Sequence, residues 1–257
     1  MRIATWNVNS LNVRLPRVEH WLGYATPDVL CLQETKLADT AFPAVAFETL
    51  GYQSVHHGSG RWNGVAILSR LPITDVVYGF CKGLEVDRDA RLVSATCGDV
   101  RVSSVYVPNG RSVGSEHFTY KLSWLDRLRR HLEATCDPDA PVAVCGDFNV
   151  APEDRDVWDP ARFVGSTHVT EWEREALARL KAWGLEDAFR IRHQEDGLFT
   201  YWDYRAGDFH EHRGMRIDLI LVTKPVAEKI SYALVDRFAR KGKLPSDHAP
   251  LLVDVAD

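Results

Sequence analysis

The chain has little that would mark it as secreted, membrane-bound or modular. Its five cysteines, Cys31, Cys81, Cys97, Cys136 and Cys145, are odd in number, widely spaced and without a C-x-x-C pair, so no disulfide framework is expected. Cys31 and Cys145 lie inside apolar runs, where a thiol behaves as a small hydrophobe, and all five read as free thiols of a reducing cytoplasm. No stretch is apolar enough to span a bilayer. The opening Met1-Arg2-Ile3-Ala4-Thr5 lacks the basic and long apolar segments of a secretory signal. No strong repeat, low-complexity tract or long linker interrupts the 257 residues, so one domain over 1–257 is expected; a monomer is the working expectation, though the sequence itself does not set the oligomeric state. There is no excess of positive charge either. Lys plus Arg is 31, Asp plus Glu is 36 and the net charge is −5, which argues against a passive DNA-coating protein and leaves room for an enzyme with a local basic rim.

What is present is an alternation of apolar runs with helical segments. Arg2 to Val8 reads as a strand and Val13 to Gly23 as a short helix. Asp28 to Gln33, after Pro27, is almost wholly apolar, as a strand buried on both faces must be. Tyr52 to His56, Gly64 to Ser69 and Thr74 to Tyr78 follow as strands. Arg91 to Cys97 and Val100 to Val107 flank Gly98-Asp99 as a hairpin. Phe118, Leu122, Leu125, Leu128 and Leu132 recur at helical spacing over Glu116 to Ala134, with Ser115 as the cap. Val142 to Cys145 is a second buried strand, followed by a long Asp- and Pro-rich loop from Ala151 to about Thr167. A helix over Glu171 to Trp183 is expected to bury Trp172, Ala176, Leu177, Leu180 and Trp183, with Gly184 closing it. Phe199 to Asp203, Arg216 to Thr223, Ser231 to Val235 and Pro250 to Val255 are the late strands. Two halves of similar content predict an α/β fold of stacked sheets with helices outside.

Short polar islands sit where these runs end or break: Trp6-Asn7-Val8-Asn9, Gln33-Glu34-Thr35-Lys36, Gly146-Asp147-Phe148-Asn149, Arg216-Ile217-Asp218 and Ser246-Asp247-His248. Side chains at strand ends converge on one rim of a sheet. Carboxylates, amides and a histidine on such a rim form a hard-metal site with an acid/base group, suited to phosphate ester hydrolysis. Glu34, just past a buried strand, is assigned to Mg²⁺ as an oxygen ligand. Asp147 and Asn149 lie two apart after a glycine turn, so they point the same way and can handle one water molecule. Asp218 can receive an N–H of His248 and favour its charged form, which then donates to a phosphate oxygen. Asp147 and His248 remain rival general bases. Tyr106, at the end of its strand before Pro108-Asn109-Gly110, is read as a phosphate donor.

These motifs together resemble the exonuclease III family of DNA-repair nucleases, within the endonuclease/exonuclease/phosphatase superfamily. The resemblance runs from Ile3-Ala4-Thr5-Trp6-Asn7-Val8-Asn9-Ser10-Leu11 through Leu32 to Lys36, Asn63 to Ile67 and Gly146 to Pro152. It continues in Trp202-Asp203-Tyr204-Arg205, Gly214 to Leu219 and Pro245 to Pro250, and so covers essentially the whole chain. It implies a four-layer α/β/β/α sandwich of two mixed sheets, dependence on Mg²⁺ or Mn²⁺, and double-stranded DNA as substrate. It places Glu34 on the metal with Asn7 nearby, and Asp247 at the metal or beside the water. It agrees with the roles given above to Tyr106, Asp147, Asn149, Asp218 and His248.

Arg61 and Asn63, Arg88 and Arg91, and Arg111 with Lys121 form a candidate rim of phosphate donors. The aromatics of Tyr201-Trp202-Asp203-Tyr204-Arg205 either pack in the core or flank a pocket for a distorted sugar; in members of the family the corresponding loop lies over the lesion, which makes Tyr201 and Trp202 the candidate wedge or pocket wall. His168 falls where some relatives carry a small residue. A bulky side chain there obstructs an extrahelical abasic site while admitting a frayed 3′ terminus, so 3′-end processing is expected to exceed abasic-site incision. The expected enzyme is a Mg²⁺-dependent exodeoxyribonuclease III-type phosphodiesterase on abasic sites or 3′ ends. The competing readings are a lipid or inositol phosphatase of the same superfamily and a catalytically silent DNA-binding protein. The first lacks a membrane-binding apolar loop, and the second would be expected to have lost at least one polar group of the site.

Overall fold

The computed structural model describes residues 1–256. In chain order its strands are β1 Arg2–Asn7, β2 Val29–Gln33, β3 Gln53–His57, β4 Val65–Ser69, β5 Ile73–Tyr78, β6 Leu92–Cys97, β7 Val100–Tyr106, β8 Val142–Asp147, β9 Leu185–Asp187, β10 Asp218–Thr223, β11 Ile230–Val235 and β12 Leu251–Val255. The helices are α1 Leu11–Ala25, α2 Ala44–Thr49, α3 Glu116–Thr135, α4 Glu171–Ala182, α5 Ala188–Arg192 and α6 Lys224–Ala227. The strands form two six-stranded sheets, ordered β11-β12-β1-β2-β4-β3 and β5-β6-β7-β8-β10-β9. Both are mixed: β1 and β2 run parallel, as do β7 and β8, while their other neighbours are antiparallel.

The apolar strands are explained by burial on both faces. In β2, Val29 and Cys31 enter the core between the sheets, while Leu30 and Leu32 pack with Val18, Trp21 and Leu22 of α1. In β8, Ala143 and Cys145 face the inter-sheet core, and Val142 and Val144 pack under Leu125, Leu128 and Leu132 of α3. The layers are therefore helix, sheet, sheet, helix, and each central strand has no polar face. Ser115 caps α3 by accepting the Phe118 N–H. Thr170 and Glu173 form a reciprocal capping box at the start of α4. The Gly98-Asp99 hairpin joins β6 and β7 as expected, with Cys97 opposite Val100. All five cysteines are free, and no helix of the described residues is long and apolar enough to cross a membrane.

Some expectations fail. Phe199 to Asp203 is not a strand: it makes only isolated bridges, from Tyr201 to Met215 and to His248. Trp172 is not core; it is 58% exposed and meets Phe118 edge-on. Ala176, Leu177 and Leu180 are buried as expected and Trp183 packs partly against them, but Glu173 takes the inward place expected of Trp172, because the capping box and a buried lysine hold it inside. The short elements α2, β9, α5 and α6 are too brief to announce themselves by periodicity.

Candidate active site

The topology brings the polar islands to one rim. Asn7 and Gln33 are paired at the ends of the parallel strands β1 and β2. Tyr106 and Asp147 are paired at the ends of β7 and β8, and Asp147 lies opposite Asp218, the first residue of antiparallel β10. His248 stands three residues before β12, held by a bridge to Tyr201.

Asn7 links the two sheets at this rim. Its Nδ2 donates to Glu34 Oε1 and to Asp147 Oδ2, each at 2.9 Å, while its Oδ1 accepts the Asn9 N–H. Its amide nitrogen, rather than its oxygen, thus faces the carboxylates. Glu34 turns the chain at φ 51, a strained conformation for a non-glycine residue. Its Oε1 also accepts the Tyr106 hydroxyl at 2.9 Å, and its Oε2 pairs with Lys36 at 2.9 Å. Burial would raise the Glu34 carboxyl, but the Lys36 ammonium and the Asn7 amide outweigh it and hold it below its ordinary range. Burial, then the Glu34 charge, pushes the Tyr106 phenol well up, so it stays protonated and remains a donor.

Asp147 is 2% exposed. Its Oδ1 accepts the Asn149 N–H at 2.9 Å, and its Oδ2 lies 3.8 Å from His248 Nε2. Burial is the main force moving its carboxyl up, to about 7. The other ring nitrogen of His248 donates to Asp218 Oδ2 at 2.7 Å. Burial alone would lower the imidazole pKa, yet Asp218 and then Asp147 overcome that and raise it to about 10. Asn149, at φ 50, points its Nδ2 to the Val107 carbonyl and receives Asn109 Nδ2 on its Oδ1 at 3.2 Å. Asp247 is tied to the same rim through Asn9, whose Nδ2 donates to it at 3.1 Å.

The rim therefore gathers Asn7, Glu34, Tyr106, Asp147, Asn149, Asp218, Asp247 and His248. It also includes three residues to which sequence reasoning gave no role. Asn9 and Lys36 lie two residues beyond Asn7 and Glu34 within the same islands, and Lys36 Nζ donates to Asn9 Oδ1 at 2.6 Å. Asn109 lies in the Pro-Asn-Gly turn after Tyr106.

Of the outer rim, Arg61, Arg88 and Arg111 are exposed. Arg91 is pinned by Asp89 at 2.9 Å and lies over the Tyr106 ring at 4.7 Å; with Asn63 and Arg111 it lines a groove next to that ring. Tyr201 is half-buried with its ring 4.9 Å from that of His248.

Two assignments are corrected. Lys121 is wholly buried, paired with Glu173, and its Nζ donates to the Asn149 carbonyl at 2.6 Å and the Asn109 carbonyl at 3.2 Å. It supports the site from beneath and is no phosphate contact. Trp202 is also wholly buried, packed with Phe199, Phe209 and Ala249, so it cannot wedge into a substrate. His168 does stand beside the site. At φ 83, its Nδ1 lies 2.5 Å from the Asn149 carbonyl and its Nε2 3.5 Å from Asn109 Nδ2. Burial, then Lys121, pushes it down to about 4.

A profile of the endonuclease/exonuclease/phosphatase family matches residues 4–248. The chain belongs to the endonuclease/exonuclease/phosphatase family. Within this family, exodeoxyribonuclease III of Haemophilus influenzae is 33% identical over 268 aligned residues, covering 98% of each chain. An AP endonuclease from Archaeoglobus fulgidus superposes with a TM-score of 0.96 at 38% identity, covering 99% of both chains. The 3′ phosphatase NExo from Neisseria, solved with a product DNA hairpin, superposes with a TM-score of 0.96 at 39% identity over the full length of both. Fold and family agree, and the protein is a nuclease-type hydrolase of this family.

Proposed function

We propose that the protein is a Mg²⁺-dependent DNA-repair phosphodiesterase of the exodeoxyribonuclease III type, acting on double-stranded DNA. It removes nucleotides and blocking groups from 3′ ends and incises abasic sites less well. One observation carries the chemistry: Asp147 stands between an amide-linked carboxylate, Asn7–Glu34, and an imidazole backed by a second carboxylate, His248–Asp218.

The donor set fits a hard divalent cation. Asp147 and Asp218 bring carboxylate oxygens within 4.8 Å of each other, and Asp218 Oδ1 is buried without a hydrogen-bond partner. Glu34, with Asp247, would supply the oxygen ligands that Mg²⁺ prefers. Mn²⁺ has the same taste for oxygen and is a workable substitute. Asn7, as oriented, holds Glu34 and Asp147 in place. When bound, the cation supplies Lewis-acid charge to the phosphate.

The side chains supply the rest. Asp147 orients a water molecule in line with the P–O3′ bond and takes its proton, with Asn149 beside it. His248, kept charged between Asp218 and Asp147, has no free lone pair for the base role. It donates from Nε2 to a phosphate oxygen as charge builds there, and Tyr106 can turn its hydroxyl to the same group. The P–O3′ bond breaks as the new P–O bond forms to water, and the departing O3′ takes a proton from solvent to leave a 3′-hydroxyl. Arg61, Arg88 and Arg111, with Arg91 and Asn63, hold the backbone, and Tyr201 walls the pocket. His168 narrows the space near Asn149, which supports preference for a thin 3′ terminus over an extrahelical abasic sugar.

Digestion of three duplexes tests this reading: one with an abasic site, one with a 3′-phosphate and one with an undamaged recessed end, each with and without Mg²⁺. Cation-dependent release of phosphate and of 3′ nucleotides, faster than abasic incision, is the expected result. Protein that leaves all three intact with Mg²⁺ present ends the proposal.

A further inference from the structure

With Trp202 buried, Tyr201 is the aromatic of that segment beside His248, and a second, open aromatic comes from another part of the chain. Trp62 is 63% exposed, whereas Trp6, Trp21, Trp124 and Trp202 are buried. It lines a groove of about 370 Å³ together with Arg91, Tyr106, Asn109 and Arg111. The Tyr106 hydroxyl bonds to Glu34 and the Asn109 amide to Asn149, so this groove adjoins the reacting centre. Trp172 is nearly as exposed, at 58%, but its pocket is lined by Asp154 and Glu171 and by no residue of the site.

The loop carrying Trp62 is built onto the Glu34 turn. The Asn63 carbonyl accepts the Lys36 N–H at 2.9 Å, and the Gly64 carbonyl accepts that of Thr35 at 3.1 Å. Gly64 sits at φ 91, and a Cβ there would come within 2.1 Å of Thr35 Oγ1, so the two turns touch without room for a side chain. The Gly64 N–H in turn donates to the Ala90 carbonyl, one residue before Arg91. Both walls of the groove are thus fixed against the turn that positions Glu34. The Arg61 guanidinium lies 5.0 Å from the centre of the Trp62 ring. An open indole among arginines matches a nucleotide, with the base on the ring and the phosphate on the cations.

We infer that Trp62 is a specificity residue that stacks on a nucleobase flanking the reacting phosphate, which deepens the proposed nuclease function and rests on it. An aromatic platform tolerates any base and requires that one be present. It holds the strand in register at a 3′ terminus and gives nothing to a nucleotide that has lost its base.

The test uses the Mg²⁺-loaded enzyme and a recessed duplex, with the base removed from either the terminal or the penultimate 3′ nucleotide. Trp62→Ala is expected to raise KM on the intact duplex by about 5- to 100-fold, with kcat changed less than about twofold. Trp62→Phe is expected to recover most of the loss. On one of the two base-less duplexes, wild type and Trp62→Ala are expected to have the same KM, because the stacking partner is gone. An unchanged KM for Trp62→Ala on intact DNA overturns the inference. So does an equal penalty on all three duplexes, which would mean a contact to the backbone. Failure of the nuclease reading itself is seen separately, as wild-type protein that does not cut the intact duplex.

Discussion

His248 donates from Nδ1 to Asp218 Oδ2 over 2.7 Å, a contact between the loop before β12 and the first residue of β10, thirty residues apart in the chain. Both side chains are buried, and the second imidazole nitrogen faces Asp147. Asp218 thereby sets the orientation of the ring and keeps it charged. Asp218→Asn preserves the shape and removes the charge. It is expected to lower kcat for 3′-phosphate release by at least about 100-fold, with KM changed by less than about threefold. Steady-state kinetics at saturating Mg²⁺ checks this, and a kcat within about tenfold of wild type would remove Asp218 from the mechanism.

His168 stands at φ 83, where glycine is the unstrained residue. His168→Gly opens the space near Asn149 and loses the bond to its carbonyl. Abasic incision is expected to rise relative to 3′ digestion by about tenfold, the order of discrimination that pocket shape provides. Both rates are measured on matched duplexes; an unchanged ratio refutes the gate.

Lys121 and Glu173 form an ion pair with both side chains wholly buried. Lys121→Met leaves Glu173 as an uncompensated buried charge, expected to cost about 3–5 kcal/mol of stability. The variant is expected to keep the wild-type salt dependence of DNA affinity. Arg111→Ala, at an exposed position, is expected to leave stability within about 0.5 kcal/mol and to reduce the salt slope by about one. Urea unfolding and binding titrations at several salt concentrations separate the two, and a lowered slope for the lysine variant would restore it to the DNA rim.

His131 gives a stability signature away from the site. It is 1% exposed, and its Nδ1 accepts the Cys81 N–H at 3.0 Å. Burial, helped by Arg101, pushes it down to about 4. The unfolded chain takes up this proton near pH 6.5 while the folded one does not, so the unfolded state binds more protons between about 6.5 and 4. Stability contributed by the neutral ring is full above pH 6.5 and falls as the pH drops, by on the order of 3 kcal/mol at pH 4. His131→Asn, which keeps an acceptor near the Nδ1 position, is expected to flatten that part of the profile. Unfolding free energies from pH 4 to 7.5 decide; an identical slope in the variant rules out His131 as its source.

Much of the architecture follows from the chain alone, because apolar period and turn chemistry are local. Val29 to Leu32 and Val142 to Cys145 have no polar face, so they must be covered on both sides, and two such strands call for two sheets with helices outside. The polar islands likewise had to lie at strand ends, since Glu34 and Asp147 cannot sit in the middle of those runs unpaired. Which polar or aromatic residue faces solvent was a different matter. Lys121 reads as a surface group by type and Trp202 as a pocket wall by resemblance, yet Glu173 and the Asn149 carbonyl take up the lysine, and Phe209 and Ala249 close over the indole. Trp62 looked unremarkable in the sequence and stands open beside Tyr106. Local pattern fixes which elements form and where chemistry can sit on them. The burial of an individual lysine or tryptophan depends on partners tens of residues away, and only the packed tertiary structure brings those partners together.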